Sequence, residues 1–210
     1  MKFFLIGASG MIGTRILAEL SARGHQVTAA ARSPEKIAAL PGVTAVTLNA
    51  ADADAVVAAV KASGAELILS ATSPRNSGDA TADAAAFGAA LAAAGKETGL
   101  PILMVGGAGT LSLPDGSPVM DLLPPEIKPE ALGVRGMKDA LEKEGLDWTY
   151  LAPSAEIAPG DRTVEFRVGG TTLLSDANGK SWISAEDYAV AFANEAETRS
   201  HKGQVFTVGY

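Results

Sequence analysis

An α/β fold built on a doubly wound parallel sheet is what this sequence predicts, and three observations carry the prediction. Short apolar, β-prone runs alternate through the first half with alanine-rich amphipathic stretches, the pattern of successive βα units with helices on both faces of a sheet. A glycine loop, Gly7-Ala8-Ser9-Gly10-Met11-Ile12-Gly13, follows the first apolar run at once. Each candidate helix of this half then closes on a glycine, at Arg23-Gly24, Pro41-Gly42, Ser63-Gly64 and Thr98-Gly99.

The elements follow in order. Strands are expected at Lys2 to Ile6, Gln26 to Ala31, Val43 to Leu48, Glu66 to Ser70 and Pro101 to Val105, with helices near Met11 to Ala22, Pro34 to Leu40, Ala53 to Lys61 and Ala80 to Gly95. From Gly106 to Pro129 the composition turns to Gly, Pro, Asp and Ser, and a loop this long in a compact domain is more often functional than idle. Helical periodicity returns near Glu130 to Glu144, and Trp148 to Leu151 reads as a sixth strand. The remainder predicts a short hairpin around Asn178-Gly179, a helix opened by Ser184 with Asp187 as its capping-box partner, and a last strand from Gln204 to Val208. With 210 residues the chain is read as one domain, residues 1–210, in which residues 106–130 and 153–183 form loops on the substrate side.

Composition narrows the function. The formal charge of −7 is spread along the chain without a basic stripe, which speaks against nucleic acid and anionic lipid as partners. There is no cysteine, so disulfides, thiolate metal ligands and a thiol nucleophile are excluded. Phe3 to Ile6 is too short for a membrane span and lacks a cleavage pattern, and a cytoplasmic protein is expected. A small-molecule acceptor is the expected partner, and the sequence leaves a homodimer open.

The glycine loop stands where a dinucleotide needs it, between a strand and a helix. Glycines permit the tight turn, the close approach of backbone to pyrophosphate and close helix packing, while the helix N-terminus offers oriented N–H donors. This makes the predicted sheet Rossmann-type, with Gly7, Ser9, Gly10, Met11 and Ile12 as candidate cofactor contacts. The spacing is G-x-x-G-x-x-G, which points toward short-chain dehydrogenases. At the end of the second strand, where an acidic side chain would bond a ribose 2′-hydroxyl, stand Arg32 and Ser33. An arginine pairs with a 2′-phosphate, so NADP(H) is favoured over NAD(H), the alternative being a solvated turn residue. Asn49, and Ser70, Ala71 and Thr72, leave the third and fourth strands, where they either flank adenine and the nicotinamide-side ribose or are plain turns. A second glycine turn, Gly106-Gly107, ends the fifth strand, and Pro153 follows the sixth; nicotinamide and acceptor are expected to meet there, the alternative being a tight turn that only launches the long loop.

Carbonyl-reducing short-chain dehydrogenases use Tyr-x-x-x-Lys, in which the lysine lowers the tyrosine pKa. Here the corresponding helix reads Val134-Arg135-Gly136-Met137-Lys138, so the proton donor is absent. Lys138 is either a ribose-positioning residue or a solvated one, and no other catalytic candidate is assigned. His25 and His201 lack the spacing of a metal site, and no metal is expected. Gly-x-Ser-x-Gly is absent, which removes a hydrolase elbow.

The segments GASGMIG, PILMVGGAGTL, GLDWTYLAPSAEIAPGDRT, ISAEDYAVAFANE and QVFTVGY together resemble the NAD(P)H-binding, NmrA-like group of atypical short-chain dehydrogenases, a group associated with NADH-flavin reduction. The chain departs from the group's pattern at Val164-Glu165-Phe166, before Arg167-Val168-Gly169. The resemblance implies a Rossmann fold, a nicotinamide cofactor and an NADPH-dependent oxidoreductase passing hydride to a flavin, quinone or similar flat acceptor, with FMN or FAD as substrate. The alternative is an NADP(H)-binding redox sensor that does not turn over, and an epimerase or carbonyl reductase is disfavoured by Val134.

Overall fold

The first strand, Lys-Phe-Phe-Leu-Ile, explains the architecture in miniature. Successive side chains of a strand point to opposite faces, and here both faces are buried: Phe3 and Leu5 enter one apolar core, Phe4 and Ile6 another. A strand buried on both sides needs a helical layer on each.

The computed structural model describes residues 1–75 and 77–210. The strands are β1 (Lys2–Ile6), β2 (Gln26–Ala31), β3 (Val43–Thr47), β4 (Leu67–Ser70), β5 (Ile102–Val105), β6 (Trp148–Ala152), β7 (Glu156–Ala158), β8 (Arg167–Gly169), β9 (Trp182–Ser184) and β10 (Val205–Gly209). The helices are α1 (Met11–Ala22), α2 (Ala53–Ser63), α3 (Ala80–Thr98), the single turn α4 (Val119–Leu122), α5 (Lys128–Lys143) and α6 (Ala185–Thr198). The main sheet runs β3-β2-β1-β4-β5-β6-β10-β8, parallel throughout except that β8 is antiparallel to β10. Strands β7 and β9 form a separate parallel pair.

Ile16, Leu17 and Leu20 of α1 and Tyr188 and Phe192 of α6 cover the Phe3 face. On the other face α2 contributes Val56 and Val60, α3 Phe87 and Leu91, and α5 Val134, Met137 and Leu141. This is the doubly wound Rossmann-type α/β fold that the sequence predicts. Strand order reverses between β1 and β4, and that reversal opens a crevice outside the carboxyl ends of the strands. Among the described residues no helix is long and apolar enough to cross a membrane.

Three expectations need correction. The helix from Pro34 to Leu40 is only a 3-10 turn, Pro34–Lys36, because Ile37 turns extended (φ −82°, ψ 125°) and buries its side chain in the first core. So short a segment cannot offset the cost of helix nucleation against that burial. At Asn178-Gly179 the tight turn forms, with Gly179 at φ 81° and the Asp176 N–H bonded to the Lys180 carbonyl at 2.9 Å. No hairpin grows from it, since β8 pairs with β10 while β9 pairs with β7. Finally, Ser184 caps α6 by accepting the Asp187 N–H at 3.0 Å, but the Asp187 carboxylate does not complete the box. It accepts instead from the Thr163 hydroxyl, the Val164 N–H and the Tyr210 hydroxyl.

Candidate functional site

The loop between β1 and α1 is shaped by contacts that admit no side chain. Gly7 has φ 84°, and a Cβ there would lie 2.5 Å from the Ala71 carbonyl oxygen; one at Gly13 would lie 2.0 Å from the Gly7 carbonyl oxygen. The loop is moored by the Gly7 and Ala8 N–H groups, both donating to the Ala30 carbonyl at 3.0 and 3.2 Å. Beyond it, α1 starts at Met11 behind the N-cap Gly10, with no side-chain cap and no acidic residue in its first turn. The leading N–H groups of a helix have no partner within it, and together with the helix dipole they make an anion seat. The residues present therefore fit a dinucleotide pyrophosphate.

A cavity of about 220 Å³ opens beside this seat. It gathers Gly7, Ser9 and Gly10 of the loop, Arg32 beyond β2, Leu48, Asn49 and Ala50 beyond β3, and Ala71, Thr72 and Ser73 beyond β4. Seven residues singled out in the sequence thus meet around one cleft: Gly7, Ser9, Gly10, Arg32, Asn49, Ala71 and Thr72. Others stand apart from its wall. Ser70 is buried behind it, its hydroxyl 3.0 Å from that of Thr72. Met11 is exposed on the first turn of α1, Ile12 packs toward the first core, and Ser33 leads the 3-10 turn beside Arg32.

The second glycine turn lies farther along the same edge. From β2 to β5 the sheet takes three steps of about 4.8 Å, which separates Arg32 from Gly106 by the scale on which the two halves of a dinucleotide are separated. Gly106 rests on the ring of Tyr150, since a Cβ at 106 would fall 2.1 Å from Tyr150 Cε1. The Gly107 N–H donates to Tyr150 Oη at 2.8 Å, and Thr110 Oγ1 lies 2.8 Å from the same oxygen. From the opposite face of the sheet, Tyr188 donates to the Leu151 carbonyl at 2.6 Å, the carbonyl that also receives the Gly106 N–H at 2.8 Å. Burial pushes the Tyr150 phenol pKa up, against its hydrogen bonds with Thr110 and Gly107, so the group stays protonated. Pro153 follows β6 and is buried at its end. The chain beyond is fastened to α1 and α6, with Arg162 bonded to Glu19 and the Gly160 N–H to Glu186.

Residues 7–195 match the family described as NAD(P)H-binding. The chain belongs to that family. The match agrees with the resemblance drawn from the sequence motifs. Among solved structures, the chain is similar to a Burkholderia pseudomallei protein provisionally named as exported, at 38% identity and TM-score 0.86 with the whole of both chains covered. It is similar as well to a Bacteroides thetaiotaomicron protein provisionally named an epimerase, at 33% identity and TM-score 0.88, covering 100% of this chain and 96% of that one. A Streptococcus pneumoniae protein provisionally named an NADH-flavin reductase follows at 26% identity and TM-score 0.81, covering 100% and 99%.

Within this NAD(P)H-binding protein, Lys138 is not brought to the cleft. Its Nζ is held by Asp139 at 2.8 Å and Glu142 at 2.6 Å, and it lies 5.2 Å from the Trp148 ring centroid, at the far end of β6 from Pro153. Burial lowers its pKa, yet the two carboxylates outweigh burial and raise it, so the lysine is a fixed cation on the side of α5. Val134 is 8% exposed and part of the second core, which puts an apolar group at the place of the usual tyrosine. The histidines are structural: His25 pairs with Glu197, and His201 pairs with Glu195 while stacking on Phe206.

Among the residues around the site that sequence reasoning missed, four shape its geometry. Arg75 and Phe87 line the cavity beside the glycine loop, and Glu130 ties its edge by accepting from the Ser73 hydroxyl at 2.8 Å and from Arg75 Nε at 2.9 Å. Tyr150 is the fourth. Arg75 carries a readable signal, a cation in the loop leaving β4; Tyr150, in the middle of an apolar strand, carries none. A wider groove, about 800 Å³, runs between α3 and α5 on the outside of the helical layer, lined largely by alanine and glycine. It shares no lining residue with the cavity beside the glycine loop.

Proposed function

We propose that this protein is an NADPH-dependent oxidoreductase that passes hydride to a flavin, a quinone or a similar flat acceptor. The observation that carries the reading is the pairing of a bare glycine turn, Gly106-Gly107, with a buried Val134. A flat ring can lie against backbone that has no side chains, and an acceptor of this class needs no protein acid to quench a developing alkoxide. The name of the Streptococcus pneumoniae relative supports the same chemistry.

Bound NADPH supplies the hydride. The protein binds, orients and excludes water: the α1 N-terminus and Gly7 to Gly10 hold the pyrophosphate, Leu48, Ala50 and Phe87 offer an apolar slot for adenine, and Arg32 with Ser9 faces the ribose 2′ position. Among the described residues no acidic side chain lines that cavity, which supports NADPH over NADH. Stacking donor and acceptor at about 3–3.5 Å is the remaining requirement. The test is anaerobic mixing of protein, NADPH and FMN, repeated with a benzoquinone. Bleaching above the uncatalysed rate is expected with at least one acceptor; none with either overturns the catalytic reading.

A second reading adds the Lys138 ion pairs to the same buried valine. Val134 in the core and Lys138 locked to Asp139 and Glu142 leave no acid–base pair of the usual kind, which favours a protein that binds NADP(H) as a redox signal without turnover. Calorimetric discrimination between NADP⁺ and NADPH, with no turnover of any acceptor, would select it.

A further inference from the structure

We propose that Tyr150 is the positioning residue of the acceptor end, and that it acts by ordering the Gly107 peptide and turning the Thr110 hydroxyl outward as a hydrogen-bond donor to the acceptor. The proposal rests on the oxidoreductase reading above and assigns the donor that Val134 cannot be.

The direction of the hydrogen bonds follows from burial. Tyr150 has no exposed surface, and its Oη already accepts the Gly107 N–H. A buried hydroxyl proton without an acceptor costs about 1–3 kcal/mol, and among the described residues no buried side-chain polar atom lacks a partner. The acceptor for the phenol proton is Thr110 Oγ1, 2.8 Å away. Were Thr110 the donor, the Tyr150 proton would be left in a dry core. The chain therefore runs from Gly107 N–H to Tyr150 and from Tyr150 to Thr110, whose own proton is free to point away from the core.

Thr110 is suited to that role. It closes the 3-10 turn Ala108–Thr110 directly after the glycines that end β5 and is only partly buried, so part of its side chain stays open to whatever docks there. The ring of Tyr150 cannot drift, because Gly106 is pressed against it and Tyr188 holds the neighbouring Leu151 carbonyl from the other face. A hydrogen bond to the acceptor, with no proton transferred, helps hold a carbonyl or ring nitrogen while hydride arrives.

Tyr150→Phe keeps the ring and deletes the hydroxyl; Thr110→Val deletes the donor; Thr110→Ser keeps it. With FMN or a benzoquinone as acceptor, Tyr150→Phe and Thr110→Val are each expected to lower kcat about three- to tenfold, to leave the NADPH dissociation constant unchanged, and to be no worse in combination. Thr110→Ser is expected to retain wild-type kcat. A second readout needs no turnover: emission from the bound NADPH ring, measured at saturation, is expected to fall in Tyr150→Phe at unchanged affinity. Unchanged kcat and emission in Tyr150→Phe and Thr110→Val overturn the proposal, as does loss of NADPH affinity in step with kcat. If wild-type protein turns over neither acceptor, the oxidoreductase reading fails separately, and the emission arm alone decides whether Tyr150 orders the nicotinamide end. If Tyr150→Phe does not fold, Thr110→Val and Thr110→Ser carry the comparison.

Discussion

Gly13 lies directly beneath Gly7, so close that a Cβ on the former would stand 2.0 Å from the carbonyl oxygen of the latter. The contact is backbone on backbone, and nothing flexible can yield. Gly13→Ala is expected to push α1 off the β1 loop, lowering stability by about 1–3 kcal/mol and weakening NADPH at least tenfold. At Gly136, within α5, an added Cβ would meet nothing within 4 Å, and Gly136→Ala is expected to stabilise by about 0.5–1 kcal/mol. Denaturant melts of the two variants should move in opposite directions.

Arg32 lines the cavity beside the glycine loop, just beyond β2. Arg32→Ala is expected to weaken NADPH by about 1.5–3 kcal/mol, the worth of a charge-assisted hydrogen bond, and to leave NADH nearly untouched. Fluorescence titration with both cofactors measures the difference, and equal losses would show that Arg32 does not read the 2′-phosphate.

Glu19 of α1 is 8% exposed and joins Arg162 at 2.9 Å to Arg23 at 2.8 Å. The hydrogen bond from Arg162, with Arg23 beside it, holds the Glu19 carboxyl below its ordinary range against the opposing pull of burial. A depressed folded-state pKa contributes stability that is complete above the unfolded carboxylate pKa and vanishes as pH falls through the folded value. Glu19→Gln should therefore melt below wild type at pH 7, with the gap closing in acid. Because Arg162 is half exposed, 1 M salt should narrow the gap at pH 7 too.

Asp187 is fully buried, and its carboxylate receives Thr163, Val164 and Tyr210 at 2.5, 2.8 and 2.7 Å. Asp187→Ala strands three donors and is expected to cost about 3 kcal/mol or more in chemical denaturation. Val164 is held there at φ 65°, a region that penalises a β-branched residue, so Val164→Gly is expected to be tolerated far better than its position in this network suggests.

Most of the fold is legible because its signals are local. Strand β1 and helix α1 keep the bounds expected from an apolar run, a glycine loop and a closing Arg23-Gly24. The gathering of strand-exit residues is legible for the same reason: Arg32, Asn49 and Thr72 converge on one cavity once the sheet is parallel. What escapes is whatever depends on a distant partner. The flanks of Asn178-Gly179 look like a hairpin, but their pairing is decided by β7 and β10. Asp187 looks like a capping-box residue until a loop more than twenty residues upstream takes its carboxylate. Lys138 has the right spacing for a ribose ligand, yet Asp139 and Glu142, one position and one turn away, are nearer claimants.

The fit of Gly106 onto the Tyr150 ring bears on how this chain can change over generations. Any side chain at 106 would overlap the phenol, and a smaller residue at 150 would open a void beneath the turn and remove the partner of the Gly107 N–H. Neither step is tolerated first, so the two positions are expected to covary: lineages that abandon the glycine should also have abandoned the tyrosine, and with it the present shape of the turn that ends β5.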